Sequence, residues 1–362
     1  METTHLLILV VGLTSATFFV ILAFCVFLCR RRKSKHESGK DIEWSEQNIQ
    51  EDDIIQKEDL IIFEGGEDLT ICDILDAPGE VIGKSNYGTL YKALLQRSNK
   101  VRLLRFLRPI CTTRAEDLDE IVQFIGRIRH PNLVPLLGFY TGPRFEKLLV
   151  HPFYRNGNLA QFIRADGNGE CYEWSIIYRI SYGIAKGLER LHTGQEKPII
   201  HGNLKSKNIL LDHSYRPYIS DSGLHLLLNP TAGQEMLETS AAQGYKAPEL
   251  IKMKDASEET DIYSLGVIFL ELLSGKEPIN EHPTPDGDFY LPNFMRNAVL
   301  GQRISDLYHP AILLGNGRDD RVPVSEECIL KYFQLALACC SHSPSIRPNI
   351  KQVLRKLEEV AG

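Results

Sequence analysis

Hydrophobic residues fill one unbroken run near the start of the chain. Residues 6–28 carry no charged side chain, and at about 1.5 Å per residue a helix of that length crosses the roughly 30 Å hydrocarbon core of a bilayer. The next cluster, residues 30–33, is entirely basic, and basic clusters stay on the cytoplasmic side of a membrane. The pattern therefore predicts a short extracytoplasmic N-terminus at 1–5, a transmembrane helix at 6–29 and a cytoplasmic remainder.

A polar, charge-rich stretch separates this run from the rest of the chain. Residues 30–35 are basic apart from Ser34, whereas residues 37–80 hold fifteen Asp and Glu against two Lys. Segments of such composition bury too little apolar surface to fold alone. We therefore expect a basic and then acidic juxtamembrane linker over residues 30–68. Cys25 and Cys29, at the inner edge of the predicted span, are either lipidated or ordinary apolar filling.

From residue 69 onward the pattern is that of a folded domain. Short apolar runs typical of strands occur at residues 69–82, 89–95, 101–107, 133–140 and 148–153. Helical spacing appears at residues 113–128 and is strongest at 174–192, 259–273 and 329–340. Strands followed by helices predict an α+β fold. We expect a small β-rich N-lobe with one main helix (69–154), a larger α-helical C-lobe (155–360) and a cleft between them.

Composition narrows the partners that the protein can take. The 362 residues are 43% hydrophobic and 24% charged, with a formal net charge of -6, which is typical of a globular protein without the basic face that nucleic acid requires. We therefore expect no nucleic-acid partner. The eight cysteines form no C-x-x-C pair, so the sequence indicates neither a disulfide framework nor a zinc site.

Seven short motifs follow one another along the folded domain. They are Gly83–Gly88, Arg129–Leu133, His201–Asn208, Asp221–Gly223, Ala247–Glu249, Asp261–Gly266 and Arg347–Pro348. Their order and spacing over residues 69–360 resemble a protein kinase domain, most closely that of the plant leucine-rich-repeat receptor-like kinases. The resemblance implies a two-lobed, single-pass protein at the plasma membrane. Relatives usually carry an extracellular repeat domain before the span, so we expect either a form without this ectodomain or an incomplete sequence.

The resemblance assigns the nucleotide-facing loop and hinge. In the glycine-rich loop, Gly83 and Gly88 are kept, while Ser85 replaces the middle glycine. At the hinge, Pro152 removes one backbone N–H. The family's adenine-facing donor lies two residues later, at Tyr154, so the hinge retains a means of binding adenine.

The family's lysine–glutamate ion pair is altered at both ends. No lysine stands at the phosphate-pairing position of the third strand. One register places Arg105 there, and a one-residue slip places Leu104 there and reverses every face. We prefer Arg105, because Leu103 then faces inward beside it. The matching position on the following helix is Ile121, since Glu120 is rotated by about 100° from it.

The catalytic loop and the metal-binding motif are altered in part. Asn203 stands where the family has the aspartate that accepts the substrate proton, and a neutral amide cannot hold a proton. Lys205 and Asn208 are kept, and Asn208 matches a magnesium ligand. The carboxylate of Asp221 is kept, but Ser222 replaces the phenylalanine that stacks under the main helix and leaves a packing gap.

The structural positions of the family are kept. Glu249 and Arg347 match the ion pair that ties the activation segment to the C-lobe, and Asp261 matches the residue that holds the catalytic-loop backbone. Scaffold positions that are kept, beside phosphoryl-transfer positions that are replaced, predict a catalytically inactive pseudokinase. We expect it to signal by binding an active receptor-like kinase or another membrane signalling protein.

Two alternatives remain open from the sequence. The protein is alternatively a weak Ser/Thr kinase in which Lys84 or Lys92 reaches the phosphates of ATP. Asn208 and Asp221 either bind Mg²⁺ with a nucleotide or are inherited remnants without a metal.

The sequence also gives an expectation for the activation segment, residues 221–249. Thr231, Thr239 and Ser240 are candidate phosphorylation sites, but Gly202 replaces the arginine that receives such a phosphate in active relatives. A phosphate orders a loop only where basic side chains bind it. We therefore expect a segment that stays mobile.

Overall fold

The computed structural model describes residues 58–113, 115–165, 172–251, 256–279, 289–303, 306–313 and 325–361. The predicted transmembrane helix at 6–29 lies outside these residues. Among the helices that the structure describes, none is both long and apolar enough to cross a membrane.

Six antiparallel strands form the N-lobe sheet. Across the sheet they are β1 (Asp59–Ile62), β5 (Gly138–Thr141), β6 (Lys147–Pro152), β4 (Lys100–Leu107), β3 (Gly88–Leu95) and β2 (Gly79–Ser85). Two helices, α1 (Ile71–Leu75) and α2 (Ala115–Gly126), cover opposite faces of this sheet. Because side chains alternate along a strand, β4 packs Leu104 against the α1 side and Leu107 against the α2 side.

The structure corrects the predicted start of the folded domain. Strand β1 lies inside the stretch predicted as linker, and it pairs with β5 from Asp59 opposite Thr141 to Ile62 opposite Gly138. Leu60 and Ile61 pack against the two apolar layers of the N-lobe. Burial of these side chains offsets the acidic composition of the segment, so the domain begins before the predicted boundary at residue 69.

Two of the predicted strand runs are also shorter than expected. Within residues 69–82, the first half is helix α1, because the Thr70 side chain caps it by accepting the Asp73 N–H and Ile74 is buried. Within residues 133–140, only the end belongs to β5, while Leu133 forms a single bridge to Ile219. Apolar runs of this length do not by themselves separate strand, helix and buried loop.

The C-lobe is mainly helical, as predicted. Its helices are α3 (Leu159–Ala165), α4 (Trp174–Thr193), α5 (Pro230–Ala242), α6 (Glu258–Ser274), α7 (Leu291–Leu300), α8 (Glu326–Cys339) and α9 (Ile350–Ala361), and a hairpin of β7 (Ile209–Leu211) and β8 (Pro217–Ile219) faces the N-lobe. Helix α6 is the centre of the lobe, since every residue from 260 to 274 is buried. The described domain is therefore the two-lobed α+β fold expected from the motifs.

The activation segment is folded, contrary to the expectation of a mobile loop. Its middle forms helix α5, which begins after Asn229, whose side chain accepts the Ala232 N–H. Ala232 and Met236 are buried and join Leu228 in the apolar layer beneath α2. A backbone hydrogen bond from Thr113 to Leu227 further joins the segment to the loop before α2. Apolar packing, which requires no phosphate, therefore orders this segment.

Candidate functional site

A cleft of about 570 Å³ lies between the glycine-rich hairpin and the C-lobe. The hairpin of β2 and β3 forms its roof with Gly83, Ser85 and Gly88, and the catalytic-loop side chains Lys205 and Asn208 lie opposite. A side chain at Gly88 would meet the Phe106 carbonyl oxygen at 2.3 Å, so glycine is required there. The structure therefore brings most of the sequence-predicted nucleotide-facing residues to one cleft.

Arg105 crosses the cleft to reach Asp221. Its Nη2 lies 2.5 Å from Oδ1 of Asp221, and the two side chains are only 12% and 8% exposed. This contact shows that Arg105 points toward the cleft, as in the preferred register. Leu103, on the same face of β4, is buried but does not line the cleft. The guanidinium pairs with the carboxylate of the metal-binding motif.

Among the side chains of helix α2 that the structure describes, none is recorded as a partner of Arg105. Ile121, at the position of the family's glutamate, is half-buried and packs against the apolar layer that contains Val122 and Leu107. Glu120 next to it is exposed. Apolar packing thus takes the place of the family's lysine–glutamate ion pair. Such packing costs less free energy than burying two charges.

The backbone of the catalytic loop is held firmly by Asp261 of helix α6. Its carboxylate accepts the N–H groups of His201 at 2.7 Å and Gly202 at 2.9 Å, and it bonds the His192 ring at 3.0 Å. These donors hold the pKa of Asp261 below its usual range despite its burial. The structural role predicted for Asp261 agrees with this geometry.

Asn203 occupies the general-base position at the floor of the cleft. It is 2% exposed, and its Oδ1 atom has no hydrogen-bond partner among the described residues. Asn208 donates from Nδ2 to the Asn203 backbone oxygen at 2.9 Å. The amide oxygen of Asn203 can accept a hydrogen bond from a hydroxyl group but cannot take its proton.

Ser222 leaves a cavity of about 20 Å³ behind the cleft, room for one water molecule. Ile125 of α2 and His151 at the hinge line it. His151 bonds the Pro135 carbonyl oxygen at 2.9 Å, and burial lowers its pKa to about 4. His151 is therefore neutral at physiological pH and serves as a hydrogen-bonding wall residue.

The hinge follows β6 directly. Pro152 is the last residue of that strand, opposite Arg102 of β4, and the Tyr154 ring packs on Tyr218 with centroids 4.4 Å apart. Burial raises the pKa of Tyr154, so its hydroxyl is neutral. The ring is thus used for packing, which leaves the backbone as the means of contact with a base.

The residues of the cleft fit a nucleotide better than they fit Mg²⁺. The glycine-rich roof and the lysines opposite match phosphate groups. The ion, in contrast, is a dication, and the Asp221 carboxylate that would hold it is already paired with the positive charge of Arg105 at Oδ1. No group of three or more His, Cys, Asp or Glu side chains able to hold a metal occurs in the described ranges.

The ion pair predicted between Glu249 and Arg347 is present and bidentate. The Arg347 nitrogens lie 2.5 and 2.7 Å from the two carboxylate oxygens of Glu249, and the guanidinium stacks on the Tyr263 ring at 4.9 Å. The side chain of Arg347 is fully buried. The end of the activation segment is therefore anchored to the C-lobe.

A second buried network, which the motifs did not indicate, supports the same segment. Glu271 of helix α6 accepts hydrogen bonds from the Tyr245 hydroxyl at 2.8 Å and the Ser206 hydroxyl at 3.1 Å. Burial outweighs these donors and raises the pKa of Glu271 to about 8. The feature of the sequence that could have indicated this network is Glu271 itself, a single charged residue in the otherwise apolar stretch 267–273.

Replacing Glu271 by glutamine is expected to change how stability depends on pH. The folded pKa lies above the ordinary value of 4.5, so the contribution of this group is complete below pH 4.5 and is lost as pH rises through about 8. We therefore expect the melting temperature of Glu271→Gln to rise relative to that of the wild type between about pH 5 and pH 8. The exposed Glu326→Gln is the control, and an equal difference at every pH would contradict the expectation.

Comparison with known proteins identifies the family. Residues 77–357 match the family model for protein tyrosine and serine/threonine kinases, so the chain belongs to the protein kinase family. Within it, the chain belongs to the plant receptor-like kinases. It is 37% identical over 357 residues to the kinase-like protein TMKL1 of Arabidopsis thaliana. The matched region covers 97% of this chain and 52% of that protein. The chain spans about half the length of the curated relatives it matches.

Two solved structures share the fold. The kinase domain of maize SIRK1, bound to AMP-PNP, matches with a TM-score of 0.73 and 29% identity, covering 84% of this chain and 100% of that one. The pseudokinase domain of BIR2, from the RLK/Pelle family, matches with a TM-score of 0.63 and 32% identity, covering 78% of this chain and 80% of that one. The family thus includes both nucleotide-bound and pseudokinase members.

Proposed function

We propose that this protein is a membrane-anchored receptor-like pseudokinase that signals by binding a partner kinase or its substrates, without transferring phosphate. Asn203 at the general-base position carries the proposal, because no other described side chain of the cleft stands where the family's base accepts the proton. Arg105, Ile121 and Ser222 add three further departures along the path of phosphoryl transfer. The similarity to the pseudokinase domain of BIR2 supports the same conclusion.

Phosphate incorporation tests this function directly. The full-length chain, given Mg²⁺, ATP and a generic protein acceptor, is expected to incorporate no more phosphate than its Asp221→Ala variant. Asn203→Asp is also expected to remain at this level, although restoring a base alone typically changes a rate by about 10²–10⁴. The reason is that catalytic groups act as a unit, and Arg105 still holds Asp221. Substantial incorporation by Asn203→Asp would show that only the base was missing.

A weak Ser/Thr kinase is the second candidate, and one observation favours it. Lys84 lines the cleft from the glycine-rich roof, where its ammonium can approach a phosphate. Lys92, the other relocation candidate, lies 3.8 Å from Glu80 and over the Phe153 ring, so this route loses support. Incorporation that depends on both Asp221 and Lys84 would establish the weak kinase.

Membrane anchoring rests on the uncharged run at residues 6–28 and the basic cluster that follows. We expect the full-length protein to stay with the membrane fraction after carbonate extraction at high pH, because a spanning helix is held by hydrophobic burial rather than by charge. Release of the protein into the soluble fraction would refute a transmembrane anchor at the plasma membrane.

A further inference from the structure

Asp221 is the only buried carboxylate among the described residues that line the cleft, and its partner Arg105 is a permanent cation. A guanidinium stays protonated at any physiological pH and cannot leave by losing its proton. Its Nη2 atom lies 2.5 Å from Asp221, and both side chains are almost completely enclosed. Asp221 is therefore already neutralised before any ligand enters.

A magnesium ion bound to Asp221 would lie next to this guanidinium. Mg²⁺ requires near-octahedral oxygen ligands at about 2.0–2.1 Å, so an ion on either oxygen of Asp221 would lie close to the Arg105 cation that is bound to Oδ1. Like charges this close in an enclosed site repel each other strongly, and moving Arg105 away would leave its charge buried without its partner, which is also unfavourable. Ile121 in α2 offers that displaced cation no alternative carboxylate.

The remaining charges of the cleft are suited to phosphate groups. Lys84, Lys205 and Lys207 line it, whereas Glu235 is the only acidic residue besides Asp221 in the lining that the structure describes. Arg164 also lines the cleft, but its guanidinium pairs with Glu277. Three lysines and one glutamate therefore face the cavity. This excess of positive charge attracts a polyanion, and most strongly one whose negative charge is not reduced by a bound metal.

We propose that the cleft binds the triphosphate of a nucleotide without a divalent metal, with Arg105 in place of the ion as the group that neutralises Asp221. Mg²⁺ bound to the phosphates lowers their negative charge and competes with the three lysines. Metal-free ATP is therefore the better ligand. This inference rests on the proposed function, because a nucleotide site without magnesium serves binding rather than phosphoryl transfer.

The melting temperature of the full-length chain, measured with ATP in EDTA and with ATP and excess Mg²⁺, tests the proposal. ATP in EDTA is expected to stabilise the protein at least as much as ATP with Mg²⁺, because any ligand that binds only the folded state raises its stability. Stabilisation that requires Mg²⁺ would overturn the proposal. The absence of stabilisation by ATP in both conditions would overturn it as well.

Two substitutions test whether Arg105 is responsible for the binding of metal-free ATP. Arg105→Gln is expected to weaken binding of metal-free ATP by about tenfold or more, the size of one charge-assisted contact, and to make binding depend on Mg²⁺. Arg108→Gln removes the same charge at an exposed position outside the cleft lining and is expected to bind like the wild type. Unchanged metal-free affinity in Arg105→Gln would contradict the assignment.

Asp221→Asn provides a second measurement that does not require Arg105→Gln to fold. Because removal of the carboxylate leaves the Arg105 guanidinium free to bind a phosphate, metal-free affinity is expected to rise, and a tenfold loss would contradict the proposal. The two hypotheses fail separately. ATP binding in EDTA together with Asp221-dependent phosphate incorporation would refute the proposed function alone. If the protein shows no phosphate incorporation and does not bind ATP in EDTA, the inference alone is refuted.

Discussion

Replacing Arg347 by methionine is expected to lower the free energy of unfolding by about 3–5 kcal/mol, the usual cost of breaking one side of a buried ion pair. The substitution leaves the Glu249 carboxylate partly buried without its two guanidinium hydrogen bonds. It also removes the donors to the Ser341 and Glu259 carbonyl oxygens. Urea denaturation of the full-length chain measures the effect.

The expected loss is large relative to the total stability of a folded protein, about 5–15 kcal/mol. Arg303→Met is the matched control, because Arg303 is half-exposed and pairs with Asp306 on the surface, so its loss is expected to cost no more than about 1 kcal/mol. The double variant Glu249→Gln with Arg347→Met is expected to be less destabilised than the sum of the single variants. Equal losses for Arg347→Met and Arg303→Met would show that this pair does not anchor the activation segment.

Replacing Met236 by aspartate is expected to open the activation segment locally. Met236 is 3% exposed and packs in the apolar layer beneath α2, and burying an unpaired carboxylate there costs several kcal/mol. Each 1.4 kcal/mol is a factor of ten in an equilibrium. Hydrogen exchange of residues 230–242 is therefore expected to become faster by about a hundredfold or more, while helix α6 keeps its protection.

Thr231→Asp is the control for the added charge. Thr231 is exposed in the first turn of α5, where a negative charge is favourable, so exchange is expected to stay slow. Rapid exchange of the wild-type segment would restore the earlier expectation of a mobile loop. Burial also limits which of the candidate sites a kinase can phosphorylate. Thr231 and Thr239 are exposed, whereas Ser240 is buried and accessible to a kinase only after the helix opens.

Most of the fold was predictable from local patterns. The helical spacing of apolar residues located α2, α4, α6 and α8 within a few residues, because one face of each helix must be buried. Short apolar runs located β3, β4 and β6, because strands that pack against the core are rich in apolar residues. Strand β1 and helix α1 were missed, since their stability comes from β5 and from the Thr70 cap rather than from a periodic pattern.

The sequence by itself determined which chemical groups are present at each position of the kinase fold. Asn203 cannot accept a proton, Ile121 cannot pair with a cation and Ser222 cannot fill the space of an aromatic ring, wherever the surrounding chain lies. Glu249, Asp261 and Arg347 were assigned structural roles on the same basis, and their contacts agree with those roles. Side-chain chemistry is a local property, so the order of residues was sufficient.

Only the tertiary structure decided what those groups contact. Arg105 and Asp221 are 116 residues apart in the chain, and nothing near either residue specifies the other. The same holds for Met236 beneath α2 and for Glu271 with Tyr245 and Ser206. Such partnerships depend on how distant elements pack, because burial and pairing are properties of the assembled core and not of any local segment.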